Sequence, residues 1–136
     1  MAKIPQEAQD LFNNVSAVVF STACSDGQPN SCIVGMKKIT DDETLYLSDQ
    51  FFNKTLANVR ENPKVCVAWW GEGGAFEAYG MARYVNEGPE FEELRAWANE
   101  AFQRKGMPIT AKGGVFVDVF AVYNSSPGPQ AGDQIS

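Results

Sequence analysis

The sequence predicts a mainly β chain, folded as a small antiparallel barrel of six strands with peripheral helices. Three observations predict it. Six runs are β-branched, small or apolar over strand lengths, against three runs of helical character. Most of the strand runs are joined by turns of hairpin length, which favours antiparallel neighbours. The helices interrupt the strands rather than alternating with them, and no G-x-G-x-x-G follows a strand, so a doubly wound α/β sheet is disfavoured. Closing such strands on themselves removes exposed edges.

In chain order, QEAQDLFNN (residues 6–14) reads as a short opening helix, and SAVVFSTAC (16–24) as the first strand. Asp26-Gly27 between two apolar runs is a hairpin signal, because glycine takes φ > 0 without steric cost. Its partner is NSCIVGMKKI (30–39), and after the turn TDDE the run TLYLS (44–48) completes a three-stranded meander. FFNKTLANVRENP (51–63) predicts a second helix, with Asn53 as N-cap and Asn62-Pro63 as the stop. KVCVAWW (64–70) is a nearly continuous apolar strand, turned by GEGG into AFEAYGMARYV (75–85), where Phe76, Ala78, Gly80 and Ala82 share one face. Gly80 marks either a bulge with a close backbone approach or a bend in a barrel wall. GPEFEELRAWANEAFQRKG (88–106) is the best helix: Pro89 and three glutamates suit its start, Arg104-Lys105 its end, and Phe91, Leu94, Trp97, Ala98, Ala101 and Phe102 form an apolar stripe toward the core. GVFVDVFAVY (114–123) is the last strand. We therefore read residues 1–123 as one domain and 124–136, rich in Pro, Gly and Ser, as a tail that is disordered or packs on the barrel or on a dimer partner.

Composition narrows the function. An apolar fraction of 44% with 21% charged residues is that of a folded globular chain rather than a disordered one. A net charge of −6 argues against a nucleic-acid surface, which needs clustered Lys and Arg, and gives no attraction to anionic membranes. No signal-peptide core and no long apolar run is present, so the expected compartment is the cytoplasm. The chain has no histidine, which removes Ser-His-Asp and Cys-His catalysis and most zinc sites. Cys24, Cys32 and Cys66 are odd in number and without C-x-x-C spacing; they read as small buried apolar side chains rather than a disulfide framework.

Chemistry concentrates in two stretches. Lys54 stands in the first turn of the second helix, where a cation opposes the positive end of the helix dipole by about 0.3–1 kcal/mol. Either it points into water, or it and the Thr55 hydroxyl join the unpaired N–H groups of the helix start as an anion site. In the second stretch, Asn30, Ser31 and Cys32 put polar groups at one end of a strand whose backbone can pair with the edge of a planar heteroaromatic ring. Lys37-Lys38 reads as a solvated strand end, and the surplus aromatics as core or as an interface between subunits.

The hairpin STACSDGQPNSCIVG, the segment LYLSDQFFNKTLANVRENPKVCVAWW, the strand FEAYGMARYV with EGPEFEEL, and the tail VYNSSPGPQAG together resemble the pyridoxamine 5'-phosphate-oxidase-like FMN-binding split-barrel family. They are similar above all to its small FMN-binding and flavin-reductase members. The resemblance implies a six-stranded split barrel that forms a homodimer around FMN. It implies the phosphate on Lys54 and Thr55, with Ser48 and Asp49 lining the approach, and the isoalloxazine ring along Ser31, Cys32, Ile33 and Val34. The role implied is redox, as an electron carrier or an NAD(P)H-dependent reductase, with NAD(P)H or a redox protein as partner. The Arg-x-His motif of the true oxidases is absent, as is any histidine for haem, and the competing reading is a flavin-free dimeric barrel that acts as a binding module.

Overall fold

The computed structural model describes all 136 residues. In chain order the elements are α1 (Gln6–Asn14), β1 (Val18–Ala23), β2 (Pro29–Val34), β3 (Lys37–Asp41), β4 (Thr44–Asp49), α2 (Lys54–Glu61), β5 (Lys64–Gly71), β6 (Gly74–Val85), α3 (Pro89–Arg104) and β7 (Gly113–Asn124). All pairings are antiparallel, in one sheet of order β2-β1-β5-β6-β7-β4-β3. The fold is thus the mainly β barrel-like class that the sequence predicts, with seven strands instead of six.

The extra strand comes from residues 30–39, which do not form one strand in a meander. The chain breaks at Gly35-Met36, and its halves go to opposite edges: β2 pairs only with β1, and β3 only with β4. Val34 and Lys37 are three residues apart, so the two edges lie within about 11 Å of each other. A flat seven-stranded sheet would separate its edges by about six strand spacings of ~4.8 Å. The short link therefore forces the sheet to curl into a half-barrel with a notch where its edges meet. Ser48 N donates to Met36 O (2.9 Å) across that notch.

The concave face holds the core. Phe20, Leu45, Leu47, Val67, Trp69, Val115, Val117 and Val119 are fully buried there. Helix α1 closes one end through Ala8 and Phe12, with Ile4 just before it; the Trp69 indole donates to Ala8 O (2.9 Å), and the Phe12 and Trp69 rings meet edge to face at 5.2 Å. Lys37 is not a solvated strand end. Its ammonium donates to Phe12 O (2.8 Å) in the last turn of α1 and lies 4.9 Å over the Phe12 ring, and burial lowers its pKa. Lys38 lies 5.1 Å over Trp97.

Helix α3 packs on the convex face over Tyr46 and Phe116 through Leu94, so its stripe is core, as expected. Gly80 resolves as a bulge: the β6–β7 register slips between Tyr79 and Gly80, and a Cβ on Gly80 would lie 2.8 Å from Asp118 O. Residues 125–136 return along β7, with Asn124 N on Asp133 O and Ile135 N on Val122 O at 2.9 and 2.8 Å. The three cysteines are free and half-buried rather than fully buried.

Candidate functional site

The notch between the sheet edges widens into a cleft of about 360 Å³, within the ~300–1,000 Å³ range of ligand clefts. One wall is the outer edge of β2 from Asn30 to Val34, continued by Gly35; the other is Ser48 with the loop from Gln50 to Asn53, and the start of α2 stands between them at one end.

Register decides which groups the β2 wall offers. Cys24 N donates to Gln28 O (3.2 Å) beyond the Ala23–Pro29 pair, which makes Cys24 and Gln28 a hydrogen-bonded pair. Alternation along an antiparallel ladder then assigns the bonded positions to Thr22–Asn30, Phe20–Cys32 and Val18–Val34. Ser31 and Ile33, between them, turn both N–H and C=O away from β1, toward the open edge. Pro29 falls in the same phase, where its missing N–H costs the ladder nothing. Two residues thus present donor, acceptor, donor, acceptor along one line, the pattern that the edge of a planar heterocycle can match.

At the α2 end, Lys54 is exposed and belongs to none of the chain's ion pairs, and the first turn of α2 has no acidic residue. Asn53 holds the N-cap position, but its side chain makes no capping hydrogen bond, so the N–H groups at this helix start are left unpaired by it. Thr55 is buried, and its hydroxyl accepts from Asn30 Nδ2 (3.2 Å), which ties the helix start to β2. One turn on, Asn58 Nδ2 donates to Thr22 Oγ1 (3.0 Å) and clamps α2 to β1. Asn30 was visible only as a polar residue after the hairpin turn; its contact to Thr55 needs the folded register.

Seven of the eight residues singled out in the sequence line this one cleft: Ser31, Cys32, Ile33, Val34, Ser48, Lys54 and Thr55. Asp49 does not. It is fully buried on the concave side, where Oδ1 accepts from Phe52 N (2.8 Å) and Oδ2 from the Tyr84 hydroxyl (2.7 Å). Strand alternation explains this: Ser48 faces the cleft, so its neighbour must face the core. Asp49 holds the cleft's loop from behind. Burial pushes the Cys32 thiol pKa up, against a smaller opposing effect of Thr55, so the group is a neutral thiol in the wall. Ile33 and Phe51, 70% and 76% exposed, stand at the mouth as apolar surface with no protein partner, and neither Phe51 nor Gln50 carried a signal in the sequence.

Residues 4–122 match the model of the pyridoxamine 5'-phosphate oxidase family. The chain belongs to this family. Among curated proteins it is 31% identical over 139 residues to the uncharacterized protein MJ0282 of Methanocaldococcus jannaschii, covering 100% of this chain and 90% of that one. Among solved structures, HupZ of Group A Streptococcus superposes with a TM-score of 0.78 at 26% identity, over 95% of this chain and 99% of that chain. An FMN-binding protein of Syntrophomonas wolfei shares the fold, with a TM-score of 0.73 at 18% identity over 89% of this chain and 85% of that chain. In this split barrel the cleft lies where the sheet's two edges meet.

Proposed function

We propose that this chain is an FMN-binding redox protein. The observation that carries the reading is the convergence, in one cleft, of a free strand edge at Ser31 and Ile33 with an unpaired cation at an uncapped helix start. A flavin mononucleotide needs both: hydrogen bonds along the rim of its ring, and an anion site at the end of its ribityl chain. The FMN-binding relative from Syntrophomonas wolfei supports the same reading.

In this arrangement the backbone of Ser31 and Ile33 orients the ring, and the neutral Cys32 thiol and Val34 pack beside it. Lys54 and the first N–H groups of α2 hold the phosphate. The Thr55 hydroxyl, already accepting from Asn30, keeps its own proton to donate to a phosphate oxygen. Ile33 and Phe51 shield the reacting face from water. When bound, the flavin supplies hydride or electron transfer, and the protein supplies position and electrostatics.

The chain has no histidine and no arginine after Arg104, so it lacks the Arg-x-His side chains expected of a pyridoxamine-phosphate oxidase. The activity we assign is electron transfer or NAD(P)H-dependent reduction of a flavin or small molecule. A homodimer completes the reading. On the convex face away from α3, Trp70, Tyr79, Met81 and Phe120 are exposed, and the Tyr79 ring touches those of Phe120 and Tyr123 at 6.4 and 4.7 Å. Such an aromatic patch is typical of an interface core.

The decisive measurement is the visible spectrum of the purified or FMN-reconstituted chain. An absorbance band at about 450 nm that stays with the protein on gel filtration supports the proposal, and a chain that retains no FMN overturns it. Stopped-flow bleaching by NADH or NADPH assigns reductase activity; absence of bleaching by both leaves the electron carrier.

A further inference from the structure

The cleft does not end at Lys54. A second chamber of about 430 Å³ lies on the other side of that lysine, between the β1–β2 hairpin and α2, and the two chambers share Asn30 and Lys54. Its walls are Gln28, Pro29, Asn30, Ala57 and Asn58. We propose that this chamber takes the adenosine half of a flavin dinucleotide, so that FAD as well as FMN is a ligand of this chain. The inference rests on the flavin reading and extends it past the phosphate.

A phosphate monoester is the end of its ligand, and a site built for one closes around it. Here Lys54, the cation assigned to the phosphate, is a wall residue of two spaces of comparable size rather than of one. A ligand that fills both carries its phosphate in the middle, as a diester or pyrophosphate does.

The lining of the second chamber selects the group attached beyond the phosphate. Lys54 is its one charged wall residue, and three side-chain amides, Gln28, Asn30 and Asn58, each with its nitrogen already donating one hydrogen bond to the protein, offer a carbonyl oxygen and one further N–H to base edges and ribose hydroxyls. Asn58 uses its Nδ2 on Thr22, which leaves its carbonyl oxygen for the chamber. Two carboxylates stand behind the wall. Asp26 accepts from the Cys24 thiol (2.7 Å) and from Gln28 N (3.0 Å), and Glu61 accepts from Ser25 Oγ (3.0 Å). They repel an anionic tail and are compatible with a neutral nucleoside.

The experiment is calorimetric titration of the full chain, stripped of bound flavin, with FMN and with FAD. Ala57 is exposed on α2 and lines the chamber, so Ala57→Trp fills it from the helix side. We expect the Kd for FAD to be no more than about threefold above that for FMN. Ala57→Trp then weakens FAD by about tenfold or more while leaving FMN within about twofold, and retained FMN binding shows that the variant is folded. A larger preference of the wild type for FMN, or equal weakening of both ligands by Ala57→Trp, overturns the proposal. Binding of FMN alone removes the second chamber's role and leaves the flavin reading intact, whereas binding of neither removes both.

Discussion

The two edge hairpins of the sheet have opposite characters, although they are joined by only Gly35 and Met36. In β3–β4, every residue of β4 is buried, α3 covers Tyr46 from outside, and Lys37 pins the end of α1. In β1–β2, β2 alternates exposed and half-buried residues up to its buried end at Val34, and its outer backbone edge faces only the cleft. An open strand edge is ordinarily a liability, since it templates pairing with other chains. Here the β3–β4 hairpin is tied to α1 through Lys37 and to α3 through Tyr46, whereas the β2 edge lies open to a cleft that a helix start and a lysine also line. One half of the barrel is thus tied up by protein contacts, and the other keeps backbone groups free.

The largest effect expected is on the closed side. Leu47→Ala empties a fully buried position in β4 and should cost about 2–5 kcal/mol in urea unfolding, while the folded fraction keeps its FMN affinity. If Leu47→Ala instead left stability unchanged and weakened FMN, the division between the two edges would be wrong. On the open side, Lys54→Ala should raise the Kd for FMN roughly 10–100-fold through loss of a charge-assisted contact. Stability without ligand should stay level or rise slightly, because a cation leaves the positive end of a helix. A parallel loss of stability would show that Lys54 has a structural partner.

Asp49 sits between the two regimes, on β4 but bonded to the cleft's loop. Asp49→Ala leaves the Phe52 N–H and the Tyr84 hydroxyl without their acceptor and should cost about 1–3 kcal/mol in unfolding and weaken FMN at the same time. Asp49→Asn keeps an acceptor for Phe52 and should recover most of both losses. Loss of FMN binding by Asp49→Asn with unchanged stability would return the carboxylate to the ligand.

Asp49 also shows where the sequence stops being informative. The segment LYLSDQFFNKT identifies the strand, the loop and the helix start, because each depends on local pattern and spacing. Which of Ser48 and Asp49 faces the cleft depends on the phase of β4 against β7, which no local signal sets. The break at Gly35-Met36 was hidden for a related reason. NSCIVGMKKI carries unbroken strand composition, and only the competition of two edges for its two halves divides it. Lys37 looked solvated because its partner, Phe12 O, lies 25 residues earlier, beyond any periodicity. Lys54, Thr55 and β2 were legible because the helix start violates a local electrostatic preference, and such a violation is visible without tertiary information.

The smallest and sharpest test concerns the phase of β2. If Ser31 and Ile33 turn their N–H groups to the open edge, then Ile33→Pro removes a donor that the sheet does not use. The chain already carries Pro29 in that phase. Ile33→Pro should therefore remain folded, with a stability change of about 1 kcal/mol or less, and lose about fivefold in FMN affinity, the worth of one backbone hydrogen bond. Cys32→Pro, one residue away, deletes a bond to Phe20 and places a ring against β1, so it should destabilise by about 3 kcal/mol or more. Amide exchange gives an independent reading of the same phase: Ile33 should exchange fast in the free chain and slow on FMN addition, and Cys32 should be slow in both. Were Cys32 the residue whose protection responds to FMN, the register that builds this site would be shifted by one, and every side chain of β2 would face the other way.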